Sequence, residues 1–252
     1  MKAKGIFFDL YGTLLIYGDM GAAWSDWLQV LHDKLKAYGL SLSRDELGTR
    51  CDGFFSREVP FTSDDGHTLY ERRLLLLCEE MGISLGSDAV RELANSTANA
   101  WQKHHRADPE ASDVLAQLKE RFKLALISNY DHPPVLRSYL GELGLDRFFD
   151  TIVVSAEAGV EKPNPAIFDI ALRSEGLKAE EAVFVGDMAL DVDGARAAGL
   201  HPILIRRDDR NLDRLVSDYH PGDDAGAKTA SSELSVPTIS RLSELTELVR
   251  QM

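Results

Sequence analysis

Five short apolar runs punctuate this chain, and each stops at a polar or turn-forming residue. Ile6-Phe7-Phe8 ends on Asp9, and Lys123-Leu-Ala-Leu-Ile-Ser128 ends before Asn129. Thr151-Ile-Val-Val-Ser155 follows a helix-like segment, Ala182-Val-Phe-Val-Gly186 leads into Asp187, and His201-Pro-Ile-Leu-Ile205 leads into Arg206. Apolar residues follow one another in these runs instead of alternating with polar ones. Runs of this kind and length read as strands buried on both faces, which is the habit of parallel sheets.

A parallel sheet needs crossovers, and helical patterns fill the intervals. Pro109 to Glu120 sets Val114, Leu115 and Leu118 on one face. Pro165 to Arg173 carries Ile167, Ile170 and Ala171 behind an N-terminal proline, and Leu190 to Ala198 runs into Gly199, a natural helix stop. The alternation predicts an α/β fold, a doubly wound parallel sheet of Rossmann-like design. Between Leu14 and about His105 the pattern changes. Ala22 to Tyr38, Ser43 to Arg57, Thr68 to Met81 and Ser87 to His104 read as helices with no convincing strand among them, and Ser43 stands three residues before Glu46 as in a capping box. We therefore expect a core of residues 1–15 and 106–252 and an inserted helical cap over residues 16–105, lying above the sheet edge as a candidate lid. The polar stretch from Arg206 to Pro237 reads as a surface excursion, followed by a short strand near Val236 to Ile239 and a helix from Arg241 to Arg250.

Charge narrows the choice of partner. The 252 residues carry 41 acidic and 28 basic side chains, a formal net charge of -13 that would repel a phosphate backbone, so nucleic acid is not the expected partner. Leu74 to Cys78 is the densest apolar run, far short of a membrane span. Cys51 and Cys78 lack metal-ligand spacing and read as reduced thiols. A cytoplasmic monomer or homodimer acting on a small molecule is expected.

The chemistry concentrates at strand ends. Ligands of open α/β sheets bind at the carboxyl edge, where Asp9 follows the first run. It is a candidate nucleophile able to form a covalent intermediate. A carboxylate attacking a phosphate dianion meets charge repulsion, which Lys162 can offset directly and a magnesium ion can offset between carboxylates and phosphate oxygens. Asp187 is the natural second ligand beside Asp9, and Asp191, one helical turn on, is a ligand or a partner through water. Ser128 and Thr13 supply hydroxyls, Asn129 a carboxamide, and the Gly12 turn supplies backbone N–H donors for phosphoryl oxygens.

Taken in order, Asp9-Leu-Tyr-Gly-Thr13, Ser128-Asn129, Lys162-Pro163 and Gly186-Asp187 with Asp191 resemble the four motifs of the haloacid dehalogenase-like superfamily of hydrolases, over nearly the whole chain. The resemblance implies Asp9 as nucleophile, Lys162 and Ser128 on phosphate, and Asp9, Asp187 and the Tyr11 carbonyl on Mg²⁺. The implied reaction is hydrolysis of a small phosphorylated metabolite through an aspartyl-phosphate.

One position departs from that pattern. Superfamily phosphatases usually carry a general acid–base aspartate two residues after the nucleophile, and Tyr11 stands there. A phenol with an ordinary pKa near 10 can donate a proton but is a poor base at neutral pH. Leaving groups that need no proton, such as acyl or aryl phosphates, are therefore expected to be preferred. Asp-x-Tyr-Gly-Thr is also similar to the first motif of L-2-haloacid dehalogenases, an alternative reading. Against it, Phe168 stands where those enzymes have tyrosine, and Gly186-Asp187-Met188 stands where they have Ser-Ser-Asn. A third reading is a binding protein that kept the magnesium–phosphate pocket and lost turnover. In the insertion, Arg44, Arg57, Arg72 and Arg73 read as solvated helix charges, Trp24 and Trp27 as core, and His104 and His105 as linker residues.

Overall fold

The computed structural model describes residues 3–59, 65–207 and 236–250. Its main sheet is built from β1 (Gly5–Phe8), β4 (Lys123–Ser128), β5 (Thr151–Val154), β6 (Ala182–Gly186), β7 (His201–Ile205) and β8 (Thr238–Ile239), all parallel, in the order β5-β4-β1-β6-β7-β8. The chain leaves the central β1, builds outward through β4 and β5, then crosses to the other side for β6 to β8. That reversal opens a crevice at the carboxyl end of β1, the usual ligand position in such sheets.

Alternation along β1 divides the core. Ile6 and Phe8 face a layer holding Val114, Leu115 and Leu118 of α5 (Ala111–Lys119), Leu136 and Leu140 of α6 (Pro133–Glu142), and Leu242 and Leu245 of α10 (Leu242–Leu248). Phe7 faces the other way, onto Ile167, Phe168 and Ala171 of α8 (Pro165–Glu175) and Ala195 of α9 (Ala189–Ala197). Both faces of the sheet are therefore dry, as the unbroken apolar runs require. A single-turn helix, α7 (Ser155–Ala158), follows β5 and takes Ser155 out of the expected strand.

The stretch after β1 holds α1 (Met20–Lys36), α2 (Arg44–Arg50), α3 (Leu69–Glu80) and α4 (Ser87–Gln102), which bury a separate core around Trp27, Leu31, Leu74, Leu77 and Val90. The Ser43–Glu46 capping box forms as expected. The helix expected from Ser43 to Arg57 is shorter. It ends at Arg50, and Gly53 at φ 68° turns the chain into a 3-10 turn over Phe54–Ser56. Two strands escaped the sequence reading. β2 (Leu15–Tyr17) and β3 (His105–Ala107) pair antiparallel, Tyr17 opposite His105, and join the helical layer to the sheet. Three residues are too few to show a strand period, and His105 is a buried strand residue rather than a loose linker.

The helical layer meets the sheet through the loop after β4. His132 lies between Thr68 Oγ1 on its Nδ1 and Asn95 Oδ1 on its Nε2, each at 2.9 Å. Asp131 accepts from the Tyr70 amide at 3.3 Å and pairs with Arg73. The arginines expected as solvated charges are thus largely engaged. Arg57 pairs with Glu80, Arg72 with Asp65 and Arg73 with Asp131, while Arg44 reaches Gln29. Trp27 is buried and stacks on Trp24 at 4.9 Å, as core residues do. Cys51 and Cys78 are buried free thiols. The expected strand and helix after the polar segment reduce to Thr238–Ile239 and Leu242–Leu248, and most of that segment lies outside the described residues.

Candidate active site

Asp9 is the first residue beyond β1, and its amide donates to Val185 O at 2.9 Å, extending the β1–β6 pairing by one step. The carboxylate is thereby held between the ends of β4 and β6. Lys162 reaches it from the loop before α8. The Asn129 carboxamide grips the lysine main chain at both ends, accepting from Lys162 N at 2.9 Å and donating to Lys162 O at 3.0 Å. Asn129, expected to contact substrate, spends its side chain on setting this lysine. Lys162 Nζ then donates to Asp9 Oδ1 at 2.5 Å and to Asp191 Oδ1 at 2.7 Å, with the side chain almost wholly buried. Asp191 accepts the Met188 amide on its other oxygen at 3.0 Å, capping α9 while holding the lysine.

Asp187 completes the cluster, and Gly12 makes room for it. A Cβ on Gly12 would lie 2.0 Å from Asp187 Oδ2, and the residue sits at φ +83°. Glycine alone meets both conditions. Thr13 Oγ1 faces Asp187 Oδ1 at 3.4 Å, at the weak end of hydrogen bonding. Asp9, Asp187 and Asp191 each offer an oxygen within 4.8 Å of the others.

Three carboxylates and one ammonium leave an excess of buried negative charge. Burial pushes the Asp9 carboxyl up to about 6, with Lys162 opposing and Asp191 adding to the rise. Burial raises Asp187 well above the carboxylate range, helped by the charges of Asp9 and Asp191. Burial alone would lower the Lys162 pKa, but Asp191 and Asp9 outweigh it and hold the ammonium charged. An all-oxygen donor set with surplus negative charge suits a hard divalent cation such as Mg²⁺. At the end of β4, the buried Ser128 hydroxyl finds no partner among the described residues, as a group reserved for a ligand would.

Tyr11 turns away from simple acid–base duty. Its hydroxyl donates to Gln102 Oε1 on α4, and its ring stacks on Tyr130 at 5.5 Å and meets the His105 edge at 5.1 Å. Burial and the neighbouring Tyr130 hold its pKa well above the ordinary phenol value, so it stays a neutral donor. Tyr17, Gln102 and Arg207 were not anticipated. Tyr17 comes from β2, and after burial the charges of Asp187, Asp9 and Asp191 are what raise its pKa, so it lies within their field. The run Leu14-Leu15-Ile16-Tyr17 was the only signal in the sequence. Phe168 is fully buried against Phe184 at 4.9 Å, a core residue.

A model of the haloacid dehalogenase-like hydrolase family matches residues 3–199. The chain belongs to this family. A glyceraldehyde 3-phosphate phosphatase of Methanopyrus kandleri is 43% identical over 101 residues, which cover 39% of this chain and 43% of that one. At such identities the chain spans about half the length of its relatives. A phosphoglycolate phosphatase of Yersinia pestis is 27% identical over 86% of this chain and 87% of its own. Among solved structures, a 2-haloacid dehalogenase from Pseudomonas syringae superposes with a TM-score of 0.66 at 25% identity, covering 99% of both chains. The family is one of hydrolases. Among the described residues no helix is long and apolar enough to cross a membrane.

Proposed function

We propose that this hydrolase is a Mg²⁺-dependent phosphatase of a small phosphorylated metabolite, working through a phosphoaspartate on Asp9. The observation that carries the reading is the cluster of buried Asp9 and Asp191, both bonded to Lys162, with half-buried Asp187, beside the unpartnered Ser128 hydroxyl. Halide displacement from an anionic acid has no need of that much negative charge. Matches to phosphatases over 39% and 86% of the chain support the same direction.

Asp9, Asp187 and the Tyr11 carbonyl would hold Mg²⁺, with Asp191 a ligand or a partner through water. Bound there, the ion neutralises carboxylate charge and polarises phosphoryl oxygens. Asp9 attacks phosphorus in line, a P–O bond to Asp9 forms, and the bond to the leaving oxygen breaks. Lys162 and Ser128 hold the phosphoryl oxygens, with Thr13 and the Gly12 turn as further donors. Water then attacks phosphorus, the bond to Asp9 breaks, and inorganic phosphate leaves. The helices of residues 16–105 act as a cap that keeps bulk water off the reacting centre.

Tyr11 shapes the substrate range. A neutral phenol can give a proton but cannot take one from water, so acyl and aryl phosphates are turned over faster than alkyl phosphates. The enzyme works as a cytoplasmic monomer or homodimer. A panel of phosphate esters and 2-haloacids, assayed with Mg²⁺ and with chelator, tests the whole reading. Phosphate release that stops on chelation is expected. The dehalogenase reading, favoured by Tyr11 and the 0.66 superposition, wins if halide release persists with chelator. Tight phosphate binding with no hydrolysis of any ester would instead mark a binding protein.

A further inference from the structure

Arg207 follows β7 directly, and its guanidinium is spent entirely on the turn after Asp9 and on the chain returning from the helical layer. Nε donates to Gly12 O at 3.3 Å and Nη2 to Thr13 O at 2.5 Å, while Nη1 pairs with Asp108. Asp108 is buried and just past β3. Its amide donates to Leu14 O at 2.9 Å, and its Oδ1 accepts the Glu110 amide at 2.7 Å. Three consecutive carbonyls, those of Gly12, Thr13 and Leu14, are therefore tied by one arginine–aspartate pair.

We propose that Arg207 is a positioning residue for catalysis, fixing the peptide planes of Gly12 and Thr13 so that Thr13 presents its amide and hydroxyl to the phosphoryl group on Asp9. The assignment rests on the phosphatase reading above. In a trans peptide the N–H points opposite to the C=O. With Gly12 O held on the guanidinium, the Thr13 N–H is turned to the far side of the turn, and it meets no partner among the described residues. The Thr13–Leu14 plane is fixed at both ends, because Leu14 N donates to Leu10 O at 2.9 Å. The same turn carries Gly12 past Asp187, so close that a Cβ there would lie 2.0 Å from a carboxylate oxygen. A planar fork can hold two carbonyls and a carboxylate at once, which a lysine ammonium cannot match in geometry.

The test compares wild type with Arg207→Ala, Arg207→Lys and Asp108→Asn, using p-nitrophenyl phosphate and Mg²⁺. Misplacement of a catalytic turn costs about 10²-fold, so kcat should fall by about that factor in Arg207→Ala with KM changed little. Added guanidinium ion should restore at least a tenth of the loss in Arg207→Ala and leave wild type unaffected. The thermal stabilisation of wild type by Mg²⁺ with beryllofluoride, a phosphoryl mimic that needs no turnover, should be lost in Arg207→Ala. If that variant does not fold, Arg207→Lys and Asp108→Asn carry the comparison, each with an intermediate loss. Variants with wild-type kcat, or a kcat loss without rescue and with full beryllofluoride response, overturn the assignment alone. A wild type inert to both substrate and beryllofluoride overturns it together with the phosphatase reading.

Discussion

Tyr11 donates its hydroxyl to Gln102, so the second residue after the candidate nucleophile is bonded to the last residue of helix α4. The sequence marks Tyr11 as a substitution for a proton-transfer group. In the fold it is also a tie between the turn after Asp9 and the helical layer above it. Its ring packs among Tyr130, Trp101 and His105, which explains why an aromatic residue is accommodated there.

Two substitutions separate these roles. Tyr11→Asp restores a carboxyl for acid–base work and should raise kcat on an alkyl phosphate by about 10²-fold, within the ordinary range for such catalysis. Tyr11→Phe loses the bond to Gln102 and the phenolic proton but no base. It should leave kcat on an aryl phosphate, whose leaving group needs no proton, close to wild type while lowering the melting temperature. Steady-state kinetics and thermal melts read both. Equal alkyl-phosphate rates in wild type and Tyr11→Asp would mean another group already moves the proton.

Gly12→Ala places a methyl where Asp187 Oδ2 stands and forces a left-handed backbone on alanine. Asp187 must move, and with it the second carboxylate of the cation site. Activity should fall at least about 10²-fold, and the Mg²⁺ concentration for half-maximal rate should rise. A Mg²⁺ titration of the variant matching wild type would show that Asp187 is not a ligand.

Asp9 must be ionised to attack, and in the metal-free protein burial sets its pKa at about 6. The rate at limiting Mg²⁺ should therefore fall as pH drops through about 6, and saturating Mg²⁺ should move that limb to lower pH. The stability linkage has the same origin. A folded-state pKa above the unfolded value means that the folded protein binds the proton more tightly. Across pH 7 to 5 the stability of metal-free wild type relative to Asp9→Asn should therefore rise as pH falls, the other titrating groups being common to both. Melts across this range check it, and a wild type and Asp9→Asn of identical pH dependence would refute it.

The sheet was legible because β1, β4, β6 and β7 are buried on both faces and so appear as unbroken apolar runs. Three of the four motif positions, Asp9, Ser128 and Asp187, were legible for the same reason, since a strand end fixes where the next side chain stands, while Lys162 comes from the loop before α8. What was missed depends on tertiary contact. Nothing local distinguishes Arg207 from Arg206, or tells that the Asn129 carboxamide closes on the Lys162 main chain instead of a ligand. Gly53 broke a helix that the pattern carried through to Arg57, because a single left-handed glycine outweighs several residues of helical spacing. β2 and β3 each depend on the other for pairing, and their sequences lie some ninety residues apart.

The seam at His132 offers a titration of opposite sign to that of Asp9. Burial lowers the His132 pKa to about 4, with Glu71 opposing, and the neutral ring bridges Thr68 and Asn95. The unfolded chain holds an ordinary histidine near 6.5. Neutral His132 therefore stabilises the fold fully above about 6.5, and that contribution is lost as pH falls towards 4. The Asp9→Asn background takes that carboxylate out of the comparison, and within it neutral His132 gives up its contribution as pH falls over this range, against the opposite contribution of Asp187. His132→Ala should remove the His132 share of the pH dependence, leaving that of His105, which burial also lowers to about 4. It should cost about 1–3 kcal/mol at neutral pH, since Thr68 and Asn95 lose a buried partner. His132→Gln should recover part of that cost by bonding Asn95. Urea unfolding of the three proteins at pH 7 and 5 measures it, and a His132→Ala variant as stable as its parent at pH 7 would show that the seam is held by Asp131 and Arg73 alone.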